Sequence, residues 1–198
     1  MRKKVITVSR QFGSGGRSIA KKVAENLGYD YYDSELVEQV AKQTGFDPSY
    51  IAEAGEYAPG KSMLSYAFGT SHHGMGSAMN TSDYLWSAQC KVINEIAEKG
   101  NCVIVGRCAD YILRNRDDCL NVFIHAATDY KAKRIVELYG VRDDSPEKRL
   151  EEKDARRSVN YKYFTGKEWG VASNYHICLD SSALGAQQCV DIICDIVK

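Results

Sequence analysis

Short β-branched runs alternate along this chain with longer stretches of helical period, the pattern of an α/β fold with a mostly parallel sheet. Five strands are expected: residues 3–8, a short piece from Gly28 to Tyr32, Cys102 to Val105, Leu120 to Ile124, and Tyr175 to Leu179. Leu85, Ala88, Val92 and Ile96 recur at helical spacing, and that run stops at Gly100, a suitable helix end. A further helix is expected from Ser145-Pro146-Glu147 to about Asn160. There Ser can cap, Pro suits the first helical position, and Glu meets the positive end of the dipole. Residues 58–82 break the rhythm, mixing four glycines with five serines, and read as a mobile binding loop. His72-His73 lies in that stretch and reads as solvated rather than metal-binding.

A chain of 198 residues suggests one domain, and 44% hydrophobic residues suffice for a real core. Lys and Arg number 26 against 26 Asp and Glu, so the net charge is zero, which argues against broad attraction to a nucleic acid polymer or an anionic membrane. No apolar run approaches bilayer-spanning length, and the short stretch Val5 to Val8 is too brief for a signal peptide, so a cytoplasmic protein is expected. The seven cysteines are odd in number, contain no Cys-x-x-Cys pair and mostly sit in apolar segments, so they read as small core residues rather than zinc ligands or disulfides.

Candidate chemistry concentrates after the first strand, in Ser9-Arg10-Gln11-Phe12-Gly13-Ser14-Gly15-Gly16-Arg17-Ser18, followed by a helical run to Leu27. Glycines let the backbone curl so that several N–H groups point inward, and the new helix adds its positive end, so a polyphosphate is the natural guest. The pattern G-x-x-x-x-G-K-[ST] is not met: Gly16 stands where the lysine belongs, Arg17 follows, and Ser18 falls near the magnesium-binding hydroxyl. Arg17 is the candidate substitute cation, and Ser18 the candidate protein ligand for Mg2+. A glycine-rich turn that binds nothing, or a dinucleotide loop, is the competing reading.

A second concentration of charge runs from Lys148 to Lys167, with seven basic residues against three acidic. Arg149, Lys153, Arg156 and Arg157 recur at i, i+4, i+7 and i+8, one face of the expected helix, able to close over phosphates. A solvated helix with Glu152 paired to Arg156 is the bland alternative. Arg107, at the end of an expected central strand, sits at the sheet edge where open α/β folds bind ligands, and suits an acceptor phosphate; pairing with Asp110 or Asp117 is its structural alternative. Asp33 either orients the acceptor or a magnesium-bound water, or caps the helix that follows. Tyr161, Tyr163, Phe164 and Trp169 pack this segment against the core or contact a base.

Together these blocks resemble the cytidylate kinase-like family of nucleoside monophosphate kinases. The likeness is carried by Ser9 to Ala20, Tyr31-Tyr32-Asp33-Ser34, Val103 to Arg107, Asn121 to His125 with Thr128 to Glu137, and Leu179-Asp180-Ser181-Ser182, in matching order and spacing. The resemblance implies a three-layer P-loop kinase fold, a five-stranded parallel sheet flanked by helices with a helical lid. It implies a single domain over 1–198 with an acceptor-side helical insert at 34–100 and a lid at 140–170. It also implies ATP-dependent transfer to a nucleoside monophosphate, CMP or dCMP, with Mg2+. Gly13, Ser14, Gly15, Gly16, Arg17, Ser18, Asp180 and Ser181 would bind ATP, the last two in the loop that wraps the adenine. Asp33, Arg107, Arg149 and Lys153 would bind the acceptor, and Arg17, Arg156 and Arg157 would act in catalysis. Partners would be small nucleotides, with no membrane or nucleic acid polymer, in a monomer or homodimer. The chain departs from bacterial cytidylate kinases at Val105 and Cys108, where those carry Asp, and at Gln39, where they carry an acceptor-binding Arg. Both departures fall in the acceptor pocket and leave open a kinase of another small metabolite, and the absent loop lysine leaves open a nucleotide-binding regulator without turnover.

Overall fold

A computed structural model describes residues 4–56 and 81–197. The expected loop at 58–82, with His72-His73, thus falls almost wholly outside the described residues. The elements are β1 (Val5–Arg10), α1 (Gly16–Leu27), β2 (Asp30–Tyr32), α2 (Ser34–Thr44), α3 (Pro48–Glu56), α4 (Thr81–Lys99), β3 (Cys102–Val105), α5 (Ala109–Ile112), β4 (Cys119–His125), α6 (Thr128–Tyr139), α7 (Pro146–Thr165), β5 (Ile177–Asp180), α8 (Ser181–Leu184) and α9 (Ala186–Val197). The five strands form one sheet in the order β2-β3-β1-β4-β5, every pairing parallel.

All five expected strands exist, with shifted ends. The first, read as residues 3–8, runs on to Arg10 because β4 is long enough to pair with it, Ser9 against Phe123 and Arg10 against Ile124. Ser9 and Arg10 are therefore the end of a strand and not the start of the glycine loop. The second begins only at Asp30, since Gly28 is the left-handed cap of α1 (φ 65°). The helix after Ser145 begins as expected, Ser145 Oγ accepting from the Lys148 N–H, and continues to Thr165 before Gly166 stops it.

Strand alternation sorts the core into two layers. Ile6, Val8, Val103, Val105, Val122 and Ile124 face α1 and α9 on one side. Val5, Cys102, Ile104 and Cys119 meet the buried faces of α2 and α4, with Ile51 of α3 and Leu113, on the other. Five of the seven cysteines, 102, 108, 119, 189 and 194, are buried as small core residues, while Cys90 and Cys178 are half-buried. The expected aromatic cluster splits in two. Phe164 stacks on Trp86 of α4 with centroids 4.5 Å apart, and Trp169 meets Phe123 edge-on at 5.4 Å. Both contacts fix α7 and the segment after it against the sheet layers. No helix among the described residues is long and apolar enough to cross a membrane.

β1 is the central strand, with β2 and β3 to one side and β4 and β5 to the other. The crevice at the carboxyl ends of β1, β3 and β4 is where such a sheet opens for ligands.

Candidate phosphate-binding site

The loop between β1 and α1 is shaped by two left-handed glycines, Gly13 (φ 80°) and Gly15 (φ 78°), a conformation that costs an L-residue about 1–2 kcal/mol. Gly15 is also the N-cap of α1, and no side chain caps that helix. The Gly16 N–H reaches Ser14 Oγ at 3.4 Å, and the positive end of the helix dipole here is the arrangement that receives an anion at a helix start.

Four other elements pin the loop. The Gln11 N–H donates to Ile124 O at the end of β4 (3.0 Å), and Gln11 Oε1 accepts from Lys131 Nζ of α6 (2.9 Å). The Phe12 N–H donates to Asp154 Oδ1 of α7 (2.7 Å), and Ser181 Oγ, just past β5, donates to Ser14 O (2.6 Å). Ser14 is itself fully buried, its hydroxyl donating to Gln11 O (2.9 Å). Burial raises the Asp154 carboxyl above its ordinary range, against the opposing pull of the Phe12 N–H, Arg157 and Lys131.

Above this loop lies a solvent-open cleft of about 480 Å³, lined by Arg10, Gln11 to Gly13, Gly15 to Ser18, Arg134, Leu138, Tyr139 and Arg157. A second cleft of about 370 Å³ adjoins it at the end of β3, lined by Ser9, Arg10, Gly106, Arg107, Cys108, Arg157, Asn160, Tyr161 and Trp169. Arg10 and Arg157 line both.

Of the residues expected from sequence, Gly13, Gly15, Gly16, Arg17, Ser18 and Arg157 come together at the first cleft, with Ser14 buried beneath. Arg17 is half-exposed at its rim, and its Nε contacts Asp33 Oδ2 (2.5 Å), which also accepts from Tyr31 (3.3 Å). Burial, with Asp33 beside it, pushes the Tyr31 hydroxyl up to about 12. Asp33 stands at the N-cap of α2 but its side chain makes no cap bond, so it binds Arg17 rather than the helix.

Ser18 Oγ accepts from Arg134 Nη2 at 3.3 Å. A dication on that oxygen would sit against the guanidinium, so Ser18 does not fit as a magnesium ligand in this arrangement. Among the described residues no group of three His, Cys, Asp or Glu gathers to hold a metal.

The four cations expected on one face of α7 separate. Arg157 Nη1 donates to Arg10 O (3.3 Å) and Asp154 Oδ1 (3.2 Å), while Arg156 is exposed and Lys153 half-buried. Arg149 Nη1 donates to Gly140 O (3.2 Å), at the end of α6. Arg107 lines the second cleft, but its guanidinium donates to Ile51 O (3.0 Å) and Ala52 O (3.2 Å) of α3. It stands in the left-handed region together with Cys108, immediately after Gly106 (φ 57°, 54° and 72°), and Gln89 Nε2 holds its carbonyl (3.0 Å). Strain of about 1–3 kcal/mol per such residue persists only where the surroundings enforce it.

Asp180 caps α8, accepting from the Ser182 N–H (2.9 Å) and the Ala183 N–H (3.2 Å), and Ser182 holds its carboxyl below the ordinary range. Gln39 is half-buried on α2 and lines neither cleft.

Sequence reasoning missed Arg10, Arg134 and the buried Asp110. Asp110 accepts from Tyr161 of α7 (2.7 Å) and Ser9 (3.2 Å), and burial raises its carboxyl. Arg134 and Leu138 lie four apart on α6 with Lys131 a turn earlier, so one helix face meets the loop.

A central parallel strand, an uncapped helix behind a glycine loop and converging guanidinium groups together define a P-loop kinase type of fold. The chain belongs to the cytidylate kinase-like family, whose model matches residues 5–183. A cytidylate kinase from Pyrococcus horikoshii is 25% identical over 181 residues, covering 91% of this chain and 81% of that one. Among solved structures, an uncharacterised protein from Eubacterium ventriosum matches with a TM-score of 0.73 and 26% identity, over 98% of this chain and 97% of the other. The shikimate kinase of Acinetobacter baumannii, solved with shikimate, matches with a TM-score of 0.55 at 15% identity, over 98% and 92%, a likeness of fold.

Proposed function

We propose that the protein transfers the terminal phosphoryl group of ATP to a nucleoside monophosphate, with CMP or dCMP as the acceptor suggested by the cytidylate kinase relatives. The observation that carries this reading is the convergence of Arg10, Arg134 and Arg157 on one cleft above an uncapped helix start. Phosphoryl transfer needs alignment and charge neutralisation more than a protein nucleophile, because the acceptor oxygen is already anionic.

In this reading the polyphosphate lies along the Gly13 to Ser18 backbone, and Arg134 and Arg157 approach it from α6 and α7. The acceptor occupies the second cleft, its phosphate directed at the shared wall. An acceptor phosphate oxygen forms the new P–O bond as the bond between the γ-phosphorus and its bridging oxygen breaks, so ADP leaves carrying that oxygen and no proton need pass to the protein. Asp180, beside His125 at the edge of the loop, is proposed to face the adenine, while Ser181 is buried and supports the loop through Ser14 O. Mg2+ would travel with ATP on phosphate oxygens and water.

Residues 140–170 serve in this reading as the lid, and residues 34–100 as the acceptor side. Coupled ADP release measured over CMP, dCMP, UMP, AMP and GMP, with the product identified, tests the proposal. Turnover with one or more is expected; none in folded protein removes it. Cys108, at a place where bacterial cytidylate kinases carry Asp, leaves that part of the acceptor cleft uncharged. A small-metabolite acceptor is therefore the second reading, and a wider acceptor screen separates the two.

A further inference from the structure

We infer that Arg10 is the phosphate-loop cation of this protein, replacing the lysine that the loop lacks and bridging the donor's terminal phosphoryl group to the acceptor's phosphate. The inference rests on the kinase reading above and adds a residue which that reading does not assign.

Counting back from Gly15, Arg10 occupies the place of the first glycine in G-x-x-x-x-G-K, while Gly16 occupies the place of the lysine. Space makes the two exchanges one event. A Cβ on residue 16 would lie 2.5 Å from Arg10 Cβ and 3.0 Å from its Cγ, so residue 16 can bear no side chain while residue 10 bears this one. The cation has crossed the loop's mouth from the helix start to the strand end.

Its head is placed where a transfer needs it. Arg10 is only 8% exposed, yet lines both the loop cleft and the acceptor cleft. A Cβ on Gly106 would collide with its Nη1, so the glycine of the Gly106-Arg107 turn leaves room for the guanidinium at the acceptor side. Arg157, the other residue shared by the clefts, donates to Arg10 O, which couples α7 to the same strand end. A planar guanidinium with five donors can engage two phosphates at once, which an ammonium does less well.

The rival cations are placed differently. Arg17 contacts Asp33 at the rim, and Lys131 directs its amine to Gln11 Oε1 beneath the loop.

Three variants test this: Arg10→Met, Arg10→Gly, and Arg10→Gly with Gly16→Lys, the last rebuilding the G-x-x-x-x-G-K order. Arg10→Met should lower kcat by about 10³-fold or more. It should weaken ATP by about 10- to 100-fold while leaving adenosine unchanged. The double variant should exceed Arg10→Gly in both rate and ATP affinity, since its lysine enters space that Arg10 vacated. Wild-type rates and ATP affinity in Arg10→Met would overturn the inference, as would a double variant no better than Arg10→Gly.

Should the variants unfold, wild-type protein decides. The Arg10 guanidinium 15N resonance, assigned in the wild type by through-bond correlation to its own backbone, should shift with saturating ATP and not with adenosine. No shift with ATP overturns the inference. The kinase reading fails separately: wild type that turns over no acceptor, yet loses ATP affinity on Arg10→Met, retains the phosphate contact and removes the transfer.

Discussion

The two clefts share a wall and hold their cations in different ways. At the loop cleft, Arg10, Arg134 and Arg157 converge from β1, α6 and α7 on a cavity lined by Gly13, Gly15 and Gly16. At the acceptor cleft, Arg107 holds the carbonyls of Ile51 and Ala52, and a buried triad of Ser9, Asp110 and Tyr161 ties β1 to α7. The loop side gathers three guanidinium groups from three elements, with Arg134 donating to Ser18 Oγ and Arg157 to Arg10 O and Asp154, while on the acceptor side Arg107 is committed to two carbonyls of α3. An arginine lining a cleft is therefore not by itself an anion site; the number of cations gathered there distinguishes the two.

The strongest break of this contrast lies on α7. Arg157→Ala should lower the transfer rate by about 10³-fold in a coupled assay, because it removes a cation lining both clefts, whereas exposed Arg156→Ala should stay within about tenfold of wild type. Equal losses would mean that the whole basic face acts, as its spacing suggests.

Next comes the loop's own backbone. Gly13→Ala combines a left-handed position with contacts of 3.0 Å to the Lys131 Cβ and carbonyl, and should cost about 2–3 kcal/mol in urea unfolding. Gly45→Ala, also left-handed but with open space around it, should cost about 1 kcal/mol. A smaller or reversed difference would show that the Lys131 face of α6 yields easily.

The triad on the acceptor side makes a pH signature. Because burial raises the Asp110 carboxyl, the folded protein still holds a proton that the unfolded chain, with an ordinary carboxylate, has released. Stability therefore falls as pH rises from about 4, the ordinary carboxylate value, through the raised one. Asp110→Asn should flatten that decline in thermal melts across the window, and an unchanged slope would assign it to another group such as Asp154.

The smallest effect belongs to Arg17→Ala. Its side chain is 57% exposed, so losing the pair with Asp33 should change stability by less than about 1 kcal/mol. The loss of rate should be well below that of Arg157→Ala; a loss matching it would move the loop cation back to Arg17.

Much of this molecule was legible beforehand because period and punctuation are local. Five short expected runs became five strands, and Ser145-Pro146-Glu147 opened a helix where capping chemistry required one. Strand ends were not legible, since Arg10 is held in the sheet by Ile124, more than a hundred residues away. That pairing is also why Arg10 was passed over as part of the loop. Arg134 gave no motif, only a helix face shared with Lys131 and Leu138 that acquires meaning once Gly13 and Gly15 lie against it. The Arg107 and Arg149 side chains found backbone carbonyls that no spacing rule reveals. The missing lysine was visible at once, but the reason Gly16 must be bare lies in the tertiary closeness of the Arg10 side chain.

The central claim is that the Gly13 to Ser18 backbone and its surrounding arginines grip the terminal phosphates of a nucleotide. Calorimetric titration of the wild-type chain with ATP, ADP and AMP at one ionic strength reads it directly. Affinity should rise with each added phosphate, and most of the gain should vanish at high salt. Equal affinity for all three, or no heat with millimolar ATP, would contradict the account.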